Sequence, residues 1–201
     1  MSLPAAYFDR MYAAAADPWA FEERWYECRK YALTVAVLPR ARYRRAFEPG
    51  CSIGVLTAAL APRCEQLLSV DISPLAVQRA RARLAGYAGV EVRQSALPEW
   101  PIGTFDLIVL SEVAYYFDDG DLTTVIDAAV TSLEPGGDLV AVHWRHPVAE
   151  YPQSGDAVHR AIRAHPGLAT VSRLEELDFL LEVFRRVPPP AESVAQREKI
   201  I

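Results

Sequence analysis

The sequence predicts an α/β protein whose core is a doubly wound, mostly parallel β-sheet. From residue 44 to residue 143, short apolar segments alternate with amphipathic helical segments, which is the pattern of strand–helix–strand units. Residues 105–110 are a nearly continuous apolar run, typical of a parallel strand covered on both faces. A loop with Gly50 and Gly54 follows the first strand, as expected where a strand passes into a helix beside a ligand.

The predicted elements follow one another in a regular order. Strands are expected at residues 44–48, 66–71, 90–93, 105–110, 138–143, 168–173 and 178–186, and helices at 54–60, 74–84, 121–133 and 155–164. Ser73 and Pro74 provide an N-cap and a first-turn proline for the second of these helices. The last two strands are so close in sequence that only an antiparallel connection fits between them. We therefore expect seven strands, mostly parallel, with an antiparallel last strand.

Two further segments flank this sheet. Residues 1–40 are helical in pattern and rich in aromatic side chains, and Asp17-Pro18 separates a short first helix from a longer second one. We expect these helices to form a lid over the sheet domain, which spans residues 41–187. Residues 188–201 begin with three prolines and have no evident core to join, so we expect them to form a C-terminal tail.

Composition argues against several classes of protein. Of the 201 residues 51% are hydrophobic, and the net charge is −5, without a basic cluster long enough to follow a nucleic acid. No window approaches the run of about 18 apolar residues that a membrane span needs, and the N-terminus lacks the pattern of a signal peptide. Cys28, Cys51 and Cys64 are isolated and show no metal-ligand spacing, so we expect no metal and a reducing cytoplasm. A monomer or homodimer fits these properties.

The loop from Gly50 to Gly54 is open to three interpretations. It matches the G-x-S-x-G elbow of serine hydrolases, but that elbow normally follows several strands and an oxyanion-hole loop, whereas this one follows the first strand. A nicotinamide dehydrogenase would need G-x-G-x-x-G and an acidic residue about 20 positions on; Asp71 provides the acid, but the glycine spacing differs. In the third interpretation, the segment beginning at Glu48 resembles the E/D-x-G-x-G-x-G loop of class I S-adenosylmethionine methyltransferases, with Ser52 replacing the middle glycine.

Later strand ends favour the third interpretation, because further segments resemble that family in the right order. Asp71 ends the second strand, where the resemblance implies a carboxylate that accepts both ribose hydroxyls of the cofactor. Ser95 stands where the family usually has an adenine-binding aspartate, so the main chain at Ala96 or Leu97 would carry more of that contact. The residues that the resemblance assigns to S-adenosylmethionine are Glu48, Gly50, Cys51, Ser52, Gly54, Asp71, Ile72, Ala96, Leu97 and Ser111, with Trp19, Tyr26 and Lys30 from the lid.

The chain also resembles one particular family, the nodulation protein S (NodS-like) methyltransferases, over nearly its whole length. The resemblance rests on the aromatic leader from Asp17 to Tyr31, on the loop from Glu48 to Thr57, and on the segment that begins Ser111-Glu-Val. It implies the fold of a Rossmann-like methyltransferase sheet and N-methylation of a free amine on a chitin-type oligosaccharide. The partner would then be a small-molecule acceptor, not a nucleic acid or a membrane.

Methyl transfer from a sulfonium requires the nucleophile, the methyl carbon and the sulfur to lie in line, and an amine acceptor must be neutral. Glu112, just past the fourth strand, and His143, at the end of the fifth, are therefore the candidate catalytic residues. The candidates for acceptor binding at the same edge of the sheet are Tyr115, Tyr116, Trp144 and Arg145. Because fold and cofactor do not fix the acceptor, an O-methyltransferase and a non-catalytic cofactor-binding protein stay open as alternatives.

Overall fold

Seven β-strands form one sheet in the computed structural model, which describes residues 1–201. The strands are β1 (Tyr43–Pro49), β2 (Cys64–Asp71), β3 (Val90–Gln94), β4 (Phe105–Ser111), β5 (Leu133–Trp144), β6 (Leu168–Glu175) and β7 (Phe179–Arg186). The helices are α1 (Ala5–Ala14), α2 (Trp25–Ala36), α3 (Val55–Leu60), α4 (Pro74–Leu84), α5 (Asp119–Ser132), α6 (Gly155–Ala164) and α7 (Val194–Arg197). The spatial order is β3-β2-β1-β4-β5-β7-β6, which confirms the predicted doubly wound sheet.

β7 is the antiparallel strand of the sheet. It lies between β5 and β6 and runs antiparallel to both, with Val183 opposite Val140 and Leu181 opposite Leu174. Only residues 176–178 separate β6 from β7, which is too few for a crossover helix, so a hairpin is the connection that fits. The predicted antiparallel last strand is confirmed.

The centre of the sheet is covered on both faces. All seven residues of β4 are buried, which explains why its sequence does not alternate between apolar and polar side chains. One apolar cluster packs Phe47 and Ile108 against α5 and α6, and a second packs Leu107 and Val109 against α2 and α3. A ligand can therefore approach the central strands only at their ends.

β5 begins earlier than the sequence predicts. Its pairing with β4 joins Leu133 to Phe105 and then moves to Asp138 opposite Leu107, so residues 134–137 bulge out of the ladder. Gly136, within this bulge, has a left-handed backbone with φ +74°. The predicted start of this strand at residue 138 is therefore wrong, because residues 135–137 (Pro-Gly-Gly) form an irregularity inside the strand.

The N-terminal helices and the C-terminal tail both contact the sheet domain. Arg79 on α4 donates hydrogen bonds to the carbonyl oxygens of Tyr12 and Ala15, which holds α1 against α4. The tail forms the short helix α7, and Arg185 of β7 donates to the carbonyl oxygen of Glu192. The tail thus contacts the sheet domain through this hydrogen bond, and none of the residues of α7 is buried. None of the helices has the length and apolar character that crossing a membrane requires.

Candidate active site

The main cavity has a volume of about 520 Å³ and opens at the carboxyl ends of β1, β2 and β4. That volume lies within the range of small-molecule sites, about 300–1,000 Å³. Side chains of α1 and α2 close its other side. The predicted site residues that line it are Trp19, Tyr26, Lys30, Glu48, Gly50, Cys51, Ser52, Asp71, Ile72, Leu97, Ser111, Glu112, Tyr115, Tyr116 and Trp144. Those that do not line it are Gly54, Ala96, His143 and Arg145.

The glycine loop forms one end of the cavity. Gly50 has φ +75°, and a Cβ there would stand 2.8 Å from Val113 Cγ2, so a larger residue would collide. Ser52 also has a left-handed backbone, with φ 52°, which is uncommon for a non-glycine residue. Its N–H donates to Asp71 at 2.8 Å and its hydroxyl accepts from Tyr12 Oη at 2.6 Å. No histidine lines the cavity, so the Ser–His arrangement of a hydrolase is absent.

Asp71 ends β2 and anchors this loop. Its Oδ2 accepts from the N–H of Ser52 at 2.8 Å and its Oδ1 from the N–H of Ser73 at 2.9 Å. Burial raises the pKa of Asp71 to about 6, although the backbone donors act in the opposite direction. Ser73 is the N-cap residue of α4, as predicted, but its hydroxyl makes no capping hydrogen bond and is buried without a partner.

Glu48 is a buried carboxylate next to the loop. Its Oε2 accepts hydrogen bonds from the hydroxyls of Thr57 at 2.6 Å and Ser69 at 2.9 Å. Burial raises the pKa of Glu48 to about 7, and the two hydroxyls offset only part of that effect. No cation of the chain pairs with Glu48, so a positively charged ligand in the cavity would stabilise its ionised form.

Glu112 lies toward the other end of the cavity, one residue past β4. Its backbone is left-handed, with φ 54°, and backbone strain of this kind is concentrated at functional sites. Lys30 Nζ donates to Glu112 Oε1 at 2.6 Å. Tyr115 Oη and the N–H of Trp144 donate to Oε2 at 2.6 and 3.0 Å. Three donors thus fix this carboxylate in one orientation.

Lys30 is buried between two carboxylates. It is 2% exposed, and its Nζ lies 2.9 Å from Glu27 Oε2 as well as close to Glu112. Burial lowers the pKa of Lys30, but the two carboxylates outweigh burial and hold the pKa above its usual value. Burial raises the pKa of Glu27, against the opposing effect of Lys30. Lys30, Glu27 and Glu112 form a cluster of one cation and two carboxylates, so with both carboxylates ionised the cluster has a spare, that is a net, negative charge.

Aromatic rings surround the Glu112 end of the cavity. Tyr26 meets Trp144 edge to face, with ring centroids 5.5 Å apart. Tyr115 stacks on Tyr151 at 4.9 Å and meets Tyr116 edge to face at 4.7 Å. Aromatic faces together with a carboxylate attract alkylammonium groups, because the ring quadrupole and the anion both favour a cation. This end of the cavity can therefore hold an amine.

His143 is not at the cavity, so the structure does not support its predicted role as a proton acceptor. It is 0% exposed and lies beneath the Glu112 end of the cavity, with Nε2 accepting from the N–H of Ala114 at 3.2 Å and Nδ1 3.1 Å from His159 Nε2. Burial lowers the pKa of His143 well below its usual value, and neighbouring His159 and Lys30 act in the same direction. Both ring nitrogens are occupied by protein groups.

Three further predicted residues also lie elsewhere. Arg145 is paired with Asp156 at 2.9 Å, so its guanidinium is not available at the predicted acceptor site. Gly54 precedes α3 with φ +80°, and a Cβ there would stand 3.0 Å from Leu84 Cδ1, so its role is helix packing. Ala96 is not among the residues that line the cavity. None of these three residues therefore lines the cavity.

Several residues that line the cavity were not predicted from the sequence as site residues. They are Tyr12, Arg24, Glu27, Tyr151 and Asp178. Glu27 could have been found, since its spacing of three from Lys30 places both on one face of a helix. The others follow no motif, because each reaches the cavity only through the packing of its segment.

The fold and the cavity together define the class of protein. The strand order with an antiparallel β7, the glycine loop after β1, the acidic residue that ends β2 and the cavity at the carboxyl ends of the strands are the arrangement of class I methyltransferases. The chain belongs to the nodulation protein S (NodS) family, whose model matches residues 8–154.

Curated relatives are similar over part of their length. Nodulation protein S of Rhizobium tropici is 34% identical over 134 residues, which cover 63% of this chain and 55% of that protein. Nodulation protein S of Sinorhizobium fredii (strain NBRC 101917 / NGR234) is 32% identical over 134 residues, which cover 63% of this chain and 60% of that protein. The chain thus spans little more than half the length of these relatives.

Two solved structures are similar over most of the chain. N-methyltransferase NodS from Bradyrhizobium japonicum WM9, in complex with S-adenosyl-L-homocysteine, is 28% identical with a TM-score of 0.81, and the match covers 90% of this chain and 97% of that one. A protein from Pseudomonas syringae with a provisional methyltransferase assignment is 47% identical with a TM-score of 0.73, over 81% of this chain and 100% of that one.

Proposed function

We propose that the protein is an S-adenosylmethionine-dependent methyltransferase that methylates an amine nitrogen of a small molecule. One observation carries the proposal, namely the charge of the residues that line the cavity. Two are cations, Arg24 and Lys30, and five are carboxylates, Glu27, Glu48, Asp71, Glu112 and Asp178. An excess of carboxylates favours positively charged ligands. Both the sulfonium of the cofactor and the ammonium of an amine acceptor are cations.

The loop end of the cavity fits S-adenosylmethionine. Glu48 has no cation of the chain to pair with, so the positively charged methionine part of the cofactor would compensate it. Asp71 would accept the ribose hydroxyls, and Leu97 would border the adenine. Arg24 lines the cavity without an ion-pair partner, so we assign it to the carboxylate of the cofactor. When bound, the cofactor supplies an activated methyl group.

Glu112 is the residue that we assign to the acceptor. Lys30, Tyr115 and the N–H of Trp144 hold its carboxylate rigidly, and the spare negative charge of the cluster would attract the acceptor amine. Glu112 would take a proton from the bound ammonium and hold the neutral amine with its lone pair toward the methyl group, and the aromatic walls would exclude water. Positioning of this kind is what the protein must add to a reactive cofactor.

An amino sugar or a related amine of an oligosaccharide-type acceptor is the first candidate substrate. Family resemblance supports it, and so does the name of the related N-methyltransferase NodS. Trp144 and Tyr151 offer flat apolar faces at the acceptor end, which suit the apolar face of a sugar ring. A hydroxyl acceptor is the alternative that an acceptor panel has to test.

The segments around the sheet domain have proposed roles as well. We assign residues 1–40 to a lid, residues 41–187 to the methyltransferase domain and residues 188–201 to a tail. Two contacts support the lid: Tyr12 donates to Ser52 at 2.6 Å, and Phe8 meets Tyr116 with ring centroids 4.9 Å apart. Deleting residues 1–20 should therefore weaken cofactor binding and turnover together.

Cys28, Cys51 and Cys64 are free thiols, which fits a reducing cytoplasm.

Glu112→Gln tests the proposal. Methyl transfer to a panel of amines, amino sugars and hydroxyl compounds is measured, and S-adenosylhomocysteine binding is followed by calorimetry. Glutamine keeps the shape but removes the charge, so kcat should fall by about a hundredfold or more while the dissociation constant of S-adenosylhomocysteine stays within about threefold. The matched control is Glu176→Gln, which removes a carboxylate paired with Arg29 outside the cavity and should leave kcat unchanged.

Each result of this experiment is informative. Turnover by Glu112→Gln at the wild-type rate would remove Glu112 from the mechanism. Transfer by the wild type to hydroxyl compounds alone would replace the amine by an oxygen acceptor. Tight S-adenosylhomocysteine binding without transfer to any acceptor would indicate a cofactor-binding protein that is not an enzyme.

A further inference from the structure

Three buried polar side chains outside the cavity form a continuous line of hydrogen bonds that ends next to it. Glu182 Oε2 on β7 is 2.6 Å from Nδ1 of His159 on α6, and His159 Nε2 is 3.1 Å from Nδ1 of His143 on β5. The line ends where the N–H of Ala114 donates to His143 Nε2 at 3.2 Å. All four residues are 0% exposed. Because unsatisfied buried polar groups are costly, every link in such a line has to be made.

Geometry fixes the direction in which each proton points. A backbone N–H can only donate, so His143 Nε2 must be the unprotonated nitrogen and Nδ1 must carry the proton. His143 Nδ1 then donates to His159 Nε2, which leaves the proton of His159 on Nδ1, where it is donated to Glu182. Both rings are therefore neutral and each has one tautomer. The lowered pKa of His143, caused first by its burial, agrees with this assignment.

Glu182 is the fixed end of the line. Besides His159, Arg163 donates to its Oε2 at 2.6 Å, and Arg173 Nε lies 3.6 Å from Oε1. Burial opposes ionisation of Glu182, but the hydrogen bonds from His159 and Arg163 hold its pKa below its usual value. Because the Glu182 carboxylate stays charged, it can only accept a hydrogen bond, so His159 must donate to it from Nδ1. The carboxylate thereby sets the tautomers of both histidines.

The other end of the line meets both groups that hold Glu112 Oε2. Ala114 opens the short 3-10 turn that carries Tyr115, and the ring of His143 lies edge to face with that of Tyr115, with centroids 5.4 Å apart. Trp144, whose N–H is the second donor to Oε2, directly follows His143 in the chain. We propose that the line from Glu182 to His143 positions Glu112, by fixing the turn and the strand end that hold Oε2. His143 is thus a positioning residue that never touches the acceptor.

The inference rests on the proposed methyl transfer, and Glu182→Gln is the variant that tests it. Glutamine has almost the same shape but can present an N–H group to His159, which removes the preference for one tautomer along the line. Glu182 does not line the cavity, so the cofactor and acceptor contacts stay intact. We expect kcat to fall about tenfold, the rate equivalent of roughly one hydrogen bond, with unchanged KM for the cofactor. The pH at which the rate is half-maximal should not move.

Ile162→Val is the matched control, because Ile162 is also buried on α6 but takes no part in the line. It should destabilise the helix without lowering kcat. Nitrogen chemical shifts of the labelled histidine rings provide a readout that does not depend on turnover. In the wild type His143 should show one protonated nitrogen across the pH range of activity, and in Glu182→Gln the His143 signals should report mixed tautomers.

Three results would overturn the inference. One is a His143 ring that gains a second proton within the pH range of activity. The others are wild-type kcat in Glu182→Gln and an equal loss of kcat in Ile162→Val, since either would leave the line without a specific effect. A wild-type protein that methylates nothing would instead contradict the proposed function, and the ring signals would then decide the inference by themselves.

Discussion

Both ends of the cavity contain buried carboxylates, but different kinds of groups stabilise the carboxylates at each end. At the loop end, neutral donors alone hold Glu48 and Asp71, and burial raises their pKa values to about 7 and about 6. At the other end, the ammonium of Lys30 lies between Glu27 and Glu112, at 2.9 and 2.6 Å. The carboxylates of the first end have no cation of the chain as a partner, whereas those of the second share Lys30.

This difference separates two tasks. A carboxylate without a cation is unstable in its ionised form, so a cationic ligand gains affinity by binding beside it. A carboxylate with a buried ammonium partner is already stabilised and keeps a fixed geometry, which suits a group that has to orient a reactant. We therefore propose that the loop end binds the cofactor and that the Glu112 end positions the acceptor.

Lys30→Met should produce the largest change in stability. It leaves Glu27 and Glu112 buried without their common cation, and removing one member of a buried ion pair costs about 3–5 kcal/mol of the free energy of unfolding. Urea denaturation measures the loss. The control is Arg29→Met, the neighbouring residue, whose pair with Glu176 is at the surface and should contribute little. Similar losses in both variants would contradict the view that Lys30 organises its end of the cavity.

The pH dependence of stability should reveal the uncompensated loop end. The pKa of folded Glu48, about 7, lies above its ordinary value of 4.5, so the folded protein binds more protons than the unfolded chain between these pH values. Its contribution to stability is therefore present below pH 4.5 and is lost as the pH rises through 7, by on the order of 3 kcal/mol. Asp71 acts in the same direction between 3.8 and about 6.

Glu48→Gln isolates this effect. Ligand-free protein carrying the variant should be more stable than wild type at pH 8, with a flatter pH dependence in denaturation experiments, because no buried charge has to form. Its affinity for S-adenosylmethionine should nevertheless fall about tenfold in calorimetry, since the cofactor loses a charged partner. Glu65→Gln on the exposed part of β2 is the control and should change neither property. A Glu48→Gln protein that is less stable than wild type at pH 8 would show that the carboxylate is stabilised in some other way.

Substitutions of Ser52 should give the smallest effects. Glycine would remove the conformational strain of the left-handed backbone, which costs about 1 kcal/mol for a non-glycine residue. It would also lose the hydrogen bond from Tyr12. Alanine loses the same hydrogen bond and keeps the strain, so Ser52→Ala should have a lower Tm than Ser52→Gly. Equal Tm values would mean that the loop adjusts its backbone freely and that hydrogen bonds do not hold it.

The rule that active residues follow parallel strands found part of the site and misplaced the rest. It correctly placed at the cavity Asp71, which is the last residue of β2, and Glu112, which directly follows β4. It also selected both His143 and Trp144 at the end of β5. Neighbouring side chains of a strand point to opposite faces, and here Trp144 lines the cavity while His143 is buried against His159 of α6. Which of the two faces the cavity depends on the helices that cover the strand, and the strand sequence does not contain that information.

The sequence alone determined the order of strands and helices, the hairpin at the edge of the sheet and the glycine loop after β1. These features follow from hydrophobic periodicity, short connections and the backbone requirements of glycine, all of which act over a few neighbouring residues. Only the tertiary structure decided that Lys30 meets Glu112, 82 positions away, and that Glu182 reaches the turn at Ala114 through two histidines. Those contacts depend on how α2 and α6 are seated on the sheet, which the packing of the whole chain sets and no local pattern encodes.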